Sequence, residues 1–214
     1  MQSLAPRENN LGPQSNLRNH LRFRPYFSLP FPGYWREDEM RQHWCFIGEI
    51  VQDVSLVRLS VNVRDVEGNE LLVAFHTNDR GESFRARCMR GSTFVLLYAK
   101  QYNFVFGEHG FRIEEEHLPF LKVFDIPLES LLRINDKLHA GAYADQCGLC
   151  GKQGVSARCS GCSTVLYCGK RCQVSAWKAA VPPGGHKEEC KILRALVWFT
   201  QRDWSTFNGK FRFA

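Results

Sequence analysis

The sequence lacks the features that identify membrane-spanning, secreted and common catalytic proteins. No apolar run among its 214 residues approaches the roughly 20 residues that a membrane-spanning helix requires. Residues 1–24 have no apolar core and are rich in Asn, Arg and Pro, so we expect no secretory signal and an intracellular protein, nuclear or cytoplasmic. A Gly-rich phosphate loop and a Gly-x-Ser-x-Gly elbow are absent too. The sequence therefore predicts neither catalytic residues nor an enzyme, and no membrane partner.

Cysteine, by contrast, is concentrated in one segment. Seven of the nine cysteines lie between Cys147 and Cys190. With one histidine they form four closely spaced pairs: Cys147-x2-Cys150, Cys159-x2-Cys162, Cys168-x3-Cys172 and His186-x3-Cys190. Eight ligands are enough for two tetrahedral zinc sites, and a site with four protein ligands leaves no position for water or substrate. The spacing therefore predicts two structural zinc ions.

The spacing of each pair has a geometric reason. A Cys-x-x-Cys knuckle places two thiolates on one tight turn, for which Gly151 and Gly161 supply backbone freedom. The i, i+4 spacing of the other two pairs places both ligands of a pair on one face of a helix. A disulfide framework is the alternative, but an odd number of clustered cysteines without a secretory signal favours metal. The other two cysteines, Cys45 in an apolar run and Cys88 in an expected strand, are interpreted as packed or incidental.

The segment resembles the MYND-type zinc fingers. The resemblance rests on the two knuckles and on Tyr167-Cys168-x3-Cys172-Gln173, Trp177 and His186-Lys187-x2-Cys190. It implies interleaved sites, in which one zinc is held by Cys147, Cys150, Cys168 and Cys172 and the other by Cys159, Cys162, His186 and Cys190. The separation between Trp177 and His186 is longer than is usual in the family. The run Pro182-Pro183-Gly184-Gly185 within it predicts a surface loop that leaves the second site intact.

The resemblance also implies a function and a binding site. MYND fingers bind protein partners, including extended proline-containing motifs that add a strand to the domain. The groove residues of the family correspond to Gln173 and Trp177 here. We therefore expect a non-enzymatic zinc-binding adaptor that mediates protein–protein interaction through these two residues.

Upstream of the finger, residues 44–138 are predicted to form an antiparallel β domain. Val57, Leu59, Val61 and Val63 alternate with polar residues at the period of a half-buried strand. Five or six such segments favour a small OB-like barrel, which gives an α+β fold class together with the finger. The segment resembles the β domain that precedes the finger in fungal MYND proteins, on Val63-Arg64-Asp65-x2-Gly68 and Gly107-x2-Gly110-Phe111-Arg112-Ile113-Glu114.

The remaining residues complete the predicted domain organisation. Residues 1–43 form a flexible or docked arm, residues 139–146 a linker, residues 147–190 the finger, and residues 191–214 a C-terminal helix with an aromatic tail. The tail either packs on the β domain or forms an exposed docking segment.

The net charge of the chain gives only weak support to nucleic-acid binding as an alternative function. The formal net charge is +6, but seven metal-bound thiolates and two zinc ions would reduce it to about +3. The alternative is single-stranded nucleic-acid binding through the OB-like domain, with Arg58, Arg64, Arg85 and Arg87 as candidate contacts.

Overall fold

The computed structural model describes residues 13–33, 41–179 and 185–213. Strands dominate the first part of these residues and helices the last part, which is an α+β arrangement, as the sequence predicts. The elements are β1 Cys45–Asp53, β2 Ser60–Asp65, β3 Glu70–Phe75, α1 Glu82–Arg85, β4 Thr93–Leu97, β5 Tyr102–Asn103, β6 His109–Ile113, β7 Leu121–Phe124, α2 Leu128–His139, β8 Ala157–Arg158, β9 Leu166–Tyr167, α3 Lys170–Lys178 and α4 Gly185–Thr200. No helix in the described ranges is long and apolar enough to cross a membrane.

Seven strands form the main sheet in the order β5-β6-β3-β2-β1-β4-β7. Neighbouring strands are antiparallel except β3 and β6, which are parallel. The sheet is not a closed barrel, so the expected OB-like closure is not confirmed. The two outermost strands are β5 and β7, and in the described residues they pair only with β6 and with β4. Closure would require β5 and β7 to pair with each other, which they do not do in the described residues.

Two local predictions fail beside this sheet. The predicted strand from Val57 begins only at Ser60, and Val57 is 71% exposed in the loop that precedes it. Cys88 is buried, but it lies in a turn after α1 and not in a strand, with its N–H donating to the Phe84 carbonyl. Neither position continues a ladder, because Val57 lies in the connection from β1 to β2 and Cys88 in the connection from β3 to β4.

Residues 13–33 of the predicted arm are docked against the sheet. Phe23 bridges to Cys45, and the Arg24 N–H donates to the Cys45 carbonyl at 2.9 Å. The buried Tyr26 hydroxyl lies within 3.2 Å of the backbone of both Tyr102 and Gly110. The contacts with Cys45 join the arm to β1, and those of Tyr26 join it to the β5–β6 edge of the sheet. Residues 1–12 and 34–40 of the predicted arm lie outside the described residues.

The C-terminal tail also packs on the chain. The Phe211 N–H donates to the Tyr98 hydroxyl at 2.8 Å, and the ring of Phe211 stacks on His43 at 3.8 Å. The Phe213 N–H donates to the Pro119 carbonyl at 2.8 Å. In the structure the tail is therefore packed on the chain, which is the first of the two predicted alternatives. The apolar core runs without interruption from the sheet through α2 and α4 into the finger, while the predicted domain boundaries stay a prediction.

Candidate metal centre

The two knuckles use their glycines for different reasons. Gly151 has φ +71°, a left-handed conformation that closes the first turn, in which its N–H donates to the Cys147 carbonyl. Gly161 is needed for space, because a Cβ atom there would lie 2.8 Å from the Cys190 Sγ atom. Only the first glycine therefore has the role that the sequence predicted.

The two i, i+4 pairs are also built differently. Cys172 lies on α3, whereas Cys168 precedes the first residue of that helix, so the prediction of one shared helix face is wrong for this pair. The Sγ atoms nevertheless come within 3.4 Å of each other, because Cys168 leads directly into the first turn. His186 and Cys190 both lie on α4, as predicted.

The eight predicted ligands converge in two groups of four. One group contains Cys147, Cys150, Cys168 and Cys172, and the other contains Cys159, Cys162, His186 and Cys190. The ligand atoms of each group lie within 4.8 Å of one another. All nine cysteines are free, so disulfides do not account for this convergence. The groups are interleaved along the chain, as the resemblance implied.

The spacing of the donor atoms fits zinc. Tetrahedral bonds of about 2.3 Å from zinc to sulfur place the sulfur atoms about 3.8 Å apart. The Cys150–Cys168 and Cys159–Cys190 sulfur pairs are 3.7 and 3.9 Å apart, and the Cys162 sulfur is 3.8 Å from His186 Nε2. Two groups of thiolate and imidazole donors at these distances hold two structural zinc ions.

The electrostatics of the knuckles favour the thiolate form that binds zinc. Burial raises the pKa of Cys162, but hydrogen bonds with His186 and with the backbone of Val165 and Thr164 outweigh burial and lower this pKa to about 6. Burial likewise opposes ionisation of Cys147, whereas hydrogen bonds with the backbone of Cys150 and Leu149 lower its pKa to about 6. Backbone groups within the first knuckle and just after the second thus stabilise these two thiolates.

The two groups differ in burial. All four members of the second group are buried, whereas Cys150 and Cys168 of the first group are exposed. The second group draws two ligands from α4, which packs against both α2 and α3. The second site is therefore integrated into the core, and the first site lies at its periphery.

An outer-shell carboxylate connects the second group to the rest of the chain. Glu189 Oε2 lies 3.6 Å from His186 Nδ1, the ring nitrogen that faces away from the sulfur atoms. Glu189 Oε1 accepts hydrogen bonds from the Tyr143 hydroxyl at 2.7 Å and from Lys137 Nζ at 3.3 Å. Burial raises the pKa of Glu189, but His186, Tyr143 and Lys137 outweigh it and lower this pKa to about 2. Glu189 was not among the predicted site residues, although its position three residues after His186 on one helix could have indicated it.

We expect Glu189→Gln to weaken zinc binding by the second group about ten- to a hundredfold, because a carboxylate beyond a histidine ligand fixes the ring and raises its basicity. Competition with a chromophoric chelator measures this affinity. Glu188→Gln is the matched control, since Glu188 is an exposed neighbour on the same helix. Equal zinc affinities for the two variants would contradict an outer-shell role for Glu189.

The predicted groove residues lie on the outer side of α3. Gln173 is half-buried, and Trp177 is 42% exposed with its ring 6.0 Å from that of His186. Val174, which was not among the predicted groove residues, is exposed beside them. Residues 180–184, which include most of the predicted surface loop, lie outside the described residues.

Comparison with known proteins places the finger in a family. Residues 147–190 match the family model for the MYND finger. The chain is 42% identical over 50 residues to ubiquitin carboxyl-terminal hydrolase 19 of Arabidopsis thaliana, covering 23% of this chain and 6% of the relative. It is 41% identical over 51 residues to histone-lysine N-methyltransferase ASHR1 of the same organism, which covers 24% of this chain and 9% of the relative. It is 49% identical over 45 residues to a SET and MYND domain-containing protein of Dictyostelium discoideum, which covers 21% of this chain and 7% of the relative.

These matches are confined to the finger. The chain spans less than a tenth of the length of each of these relatives. The hydrolase and methyltransferase activities in their names belong to those proteins. What this chain shares with them is the metal-binding module.

Proposed function

We propose that this chain, in which residues 147–190 are a MYND-type zinc finger, is a non-enzymatic adaptor that binds a protein partner through that finger. MYND fingers are protein-interaction modules. The observation that carries the proposal is the exposed face of α3, formed by Gln173, Val174 and Trp177, beside two metal sites with four protein ligands each. Sites of this kind have no open position for a reacting molecule, which supports a binding role.

The chemistry of this face suits an extended proline-containing peptide. A half-exposed indole provides a flat apolar surface for a proline ring, and the adjacent amide of Gln173 can both donate and accept hydrogen bonds. Gln173 and Trp177 are four residues apart on one helix, so their side chains emerge on the same side. Val174 extends the apolar part of the face.

An unpaired strand edge supports binding by strand addition. In the part of the chain that the structure describes, β8 pairs with β9 alone, whereas β9 also bridges to Cys147 on its other side. The outer edge of β8 can therefore accept a peptide strand through backbone hydrogen bonds. In this proposal, residues 44–138 are a supporting β domain, residues 139–146 a linker and residues 191–214 a tail that anchors the finger to it.

The nucleic-acid alternative has less support. Of its four candidate arginines, Arg64 is paired with Glu70 at 2.7 Å and Arg85 with Glu82 at 2.9 Å. The guanidinium of Arg87 lies 5.7 Å from the ring of Phe84. The two arginines that pair with carboxylates are less free to track a phosphate backbone, and no observation favours this function over peptide binding.

We expect Gln173→Ala to weaken peptide binding by roughly 1 kcal/mol, the scale of one hydrogen bond. The measurement is fluorescence anisotropy of a proline-containing peptide selected on the zinc-loaded chain. Zinc content and thermal stability should not change, because Gln173 is not a ligand.

The matched control is Gln153→Ala, which removes an exposed amide from the finger outside α3. The peptide contact lies elsewhere if both variants bind like the unaltered chain. Trp177→Ala is expected to weaken peptide binding more than Gln173→Ala does. Because Trp177 also contacts the zinc ligand His186, this substitution tests the peptide contact less selectively.

A further inference from the structure

Two chain segments meet at one end of the main sheet, far from the finger in sequence. One is the β1–β2 connection at residues 53–59, and the other is the β3–β4 connection at residues 79–91, which contains α1. The Leu59 N–H donates to the Arg80 carbonyl at 2.9 Å, and the Gly91 N–H donates to the Ile50 carbonyl at 2.8 Å. The first bond holds the two segments side by side, and the second ties the end of residues 79–91 to β1. We call residues 53–59 and 79–91 the loop-end surface.

The loop-end surface exposes aliphatic side chains on an ordered backbone. Leu56 is 97% exposed, Val57 71% and Met89 60%. The first loop is closed by bonds from the Val54 N–H to the Ser60 carbonyl and from the Ser60 N–H to the Ser55 hydroxyl. A loop fixed in this way holds its apolar side chains in water, although burying them against a partner would be favourable.

The same surface carries an excess of positive charge. It contains five arginines and three acidic residues: Arg58, Arg80, Arg85, Arg87, Arg90, Asp53, Asp79 and Glu82. Two of the acids are already engaged, since Asp79 accepts hydrogen bonds from the N–H groups of Gly81 and Ser83 and Glu82 pairs with Arg85. Within the described ranges, Arg58, Arg80, Arg87 and Arg90 form no ion pair. Four guanidinium groups are thus left to meet an anionic partner.

We infer that the loop-end surface docks an acidic protein segment that also carries aliphatic side chains. Guanidinium groups bind carboxylates in a bidentate geometry, and Leu56 and Val57 can pack against the apolar side chains between those carboxylates. Met89 adds an adaptable apolar contact. Charge complementarity together with aliphatic exposure selects this partner chemistry.

The surface fits nucleic acid and lipid less well. Phe84 is the one aromatic residue of the two segments, and it is half-buried with its ring 5.6 Å from that of Phe75. Single-stranded nucleic acids are bound by exposed aromatic rings that stack on the bases. Interfacial membrane anchors are amphipathic helices, often with Trp or Tyr at the membrane surface, whereas Leu56 and Val57 lie on a loop and α1 has only four residues. The loop-end surface presents none of these rings.

This docking surface goes beyond the proposed function of the finger. It uses neither the metal groups nor the α3 face, so loss of one interaction leaves the other intact. With both surfaces the chain would join two protein segments, one containing proline and one acidic.

The test is a selection of randomised 16-residue peptides on the full, zinc-loaded chain, followed by fluorescence anisotropy with the selected peptides. Arg87→Glu and the pair Leu56→Ser/Val57→Ser alter the surface. Arg194→Glu on α4 is the control for charge. Val105→Ser/Phe106→Ser is the control for exposed apolar pairs, since these residues are 94% and 93% exposed on a different loop.

The expected result is a group of peptides that combine Asp or Glu with Leu, Ile, Val or Met. Both altered chains should bind them about tenfold more weakly or worse, whereas the controls and Gln173→Ala should bind them like the unaltered chain. The inference is overturned if no selected peptide depends on Arg87 and Leu56/Val57, or if the dependent peptides are not acidic. It is also overturned if oligouridine or phosphatidylserine vesicles bind more tightly than the peptides and lose binding in Arg87→Glu.

Discussion

Cys190→Ser is expected to lower the zinc content from two ions per chain to one and to destabilise the whole chain. Structural zinc contributes on the order of 10 kcal/mol to the folding of such a module, so losing one ligand removes most of that contribution for its group. Cys190 lies on α4, which also carries the buried Leu193, Leu196 and Phe199. The ring of Phe199 lies 5.9 Å from that of Phe23 and 6.2 Å from that of Phe124. Disorder that begins at the second group therefore reaches the core.

Cys168→Ser should remove one zinc as well, but with a local effect. Cys168 is exposed and belongs to the peripheral group, so we expect the finger to loosen while the β-sheet circular dichroism persists. Cys88→Ser is the control, because Cys88 is buried but belongs to neither group. Elemental analysis and thermal melts of the three variants measure these outcomes. Equal melting temperatures for Cys190→Ser and Cys168→Ser would contradict the conclusion that the second site belongs to the core and the first to its periphery.

The ligands could be predicted from the sequence because their chemistry is local. Each knuckle is a turn of four residues, and the pair on α4 is one helical turn, so spacing alone fixes both. Pro127 also indicates the start of a helix, because proline suits the first helical turn, and α2 begins at Leu128. The run Asp65-Val66-Glu67-Gly68-Asn69 indicates a turn after β2, where the Asp65 carboxylate accepts hydrogen bonds from the Glu67 and Asn69 N–H groups.

What the sequence could not predict depends on contacts between distant residues. The open sheet could not be predicted, because no periodicity indicates which strands will pair, and the edge strands β5 and β7 do not pair with each other in the described residues. The docking of the arm rests on the hydroxyl of Tyr26, which bonds to backbone groups 76 and 84 residues away. The role of Glu189 could not be predicted, because Lys137 and Tyr143 lie beside it only in the folded chain.

Trp204→Ala is expected to cost about 3 to 5 kcal/mol of the free energy of unfolding, the range for removing a large aromatic side chain from a core. Trp204 is 1% exposed, and its ring lies 4.8 Å from that of Phe23 and 5.3 Å from that of Phe211. Its indole N–H donates to the Phe199 carbonyl at 2.8 Å, so the substitution also removes a buried hydrogen bond.

The measurement for Trp204→Ala is urea unfolding of the zinc-loaded chain, with Trp177→Ala as the matched control. Both substitutions remove an indole, but Trp177 is 42% exposed and packs on the finger. We expect Trp204→Ala to lose several times more stability than Trp177→Ala while retaining two zinc ions, because Trp204 belongs to neither metal group. Equal losses would mean that the tail contributes little to the core.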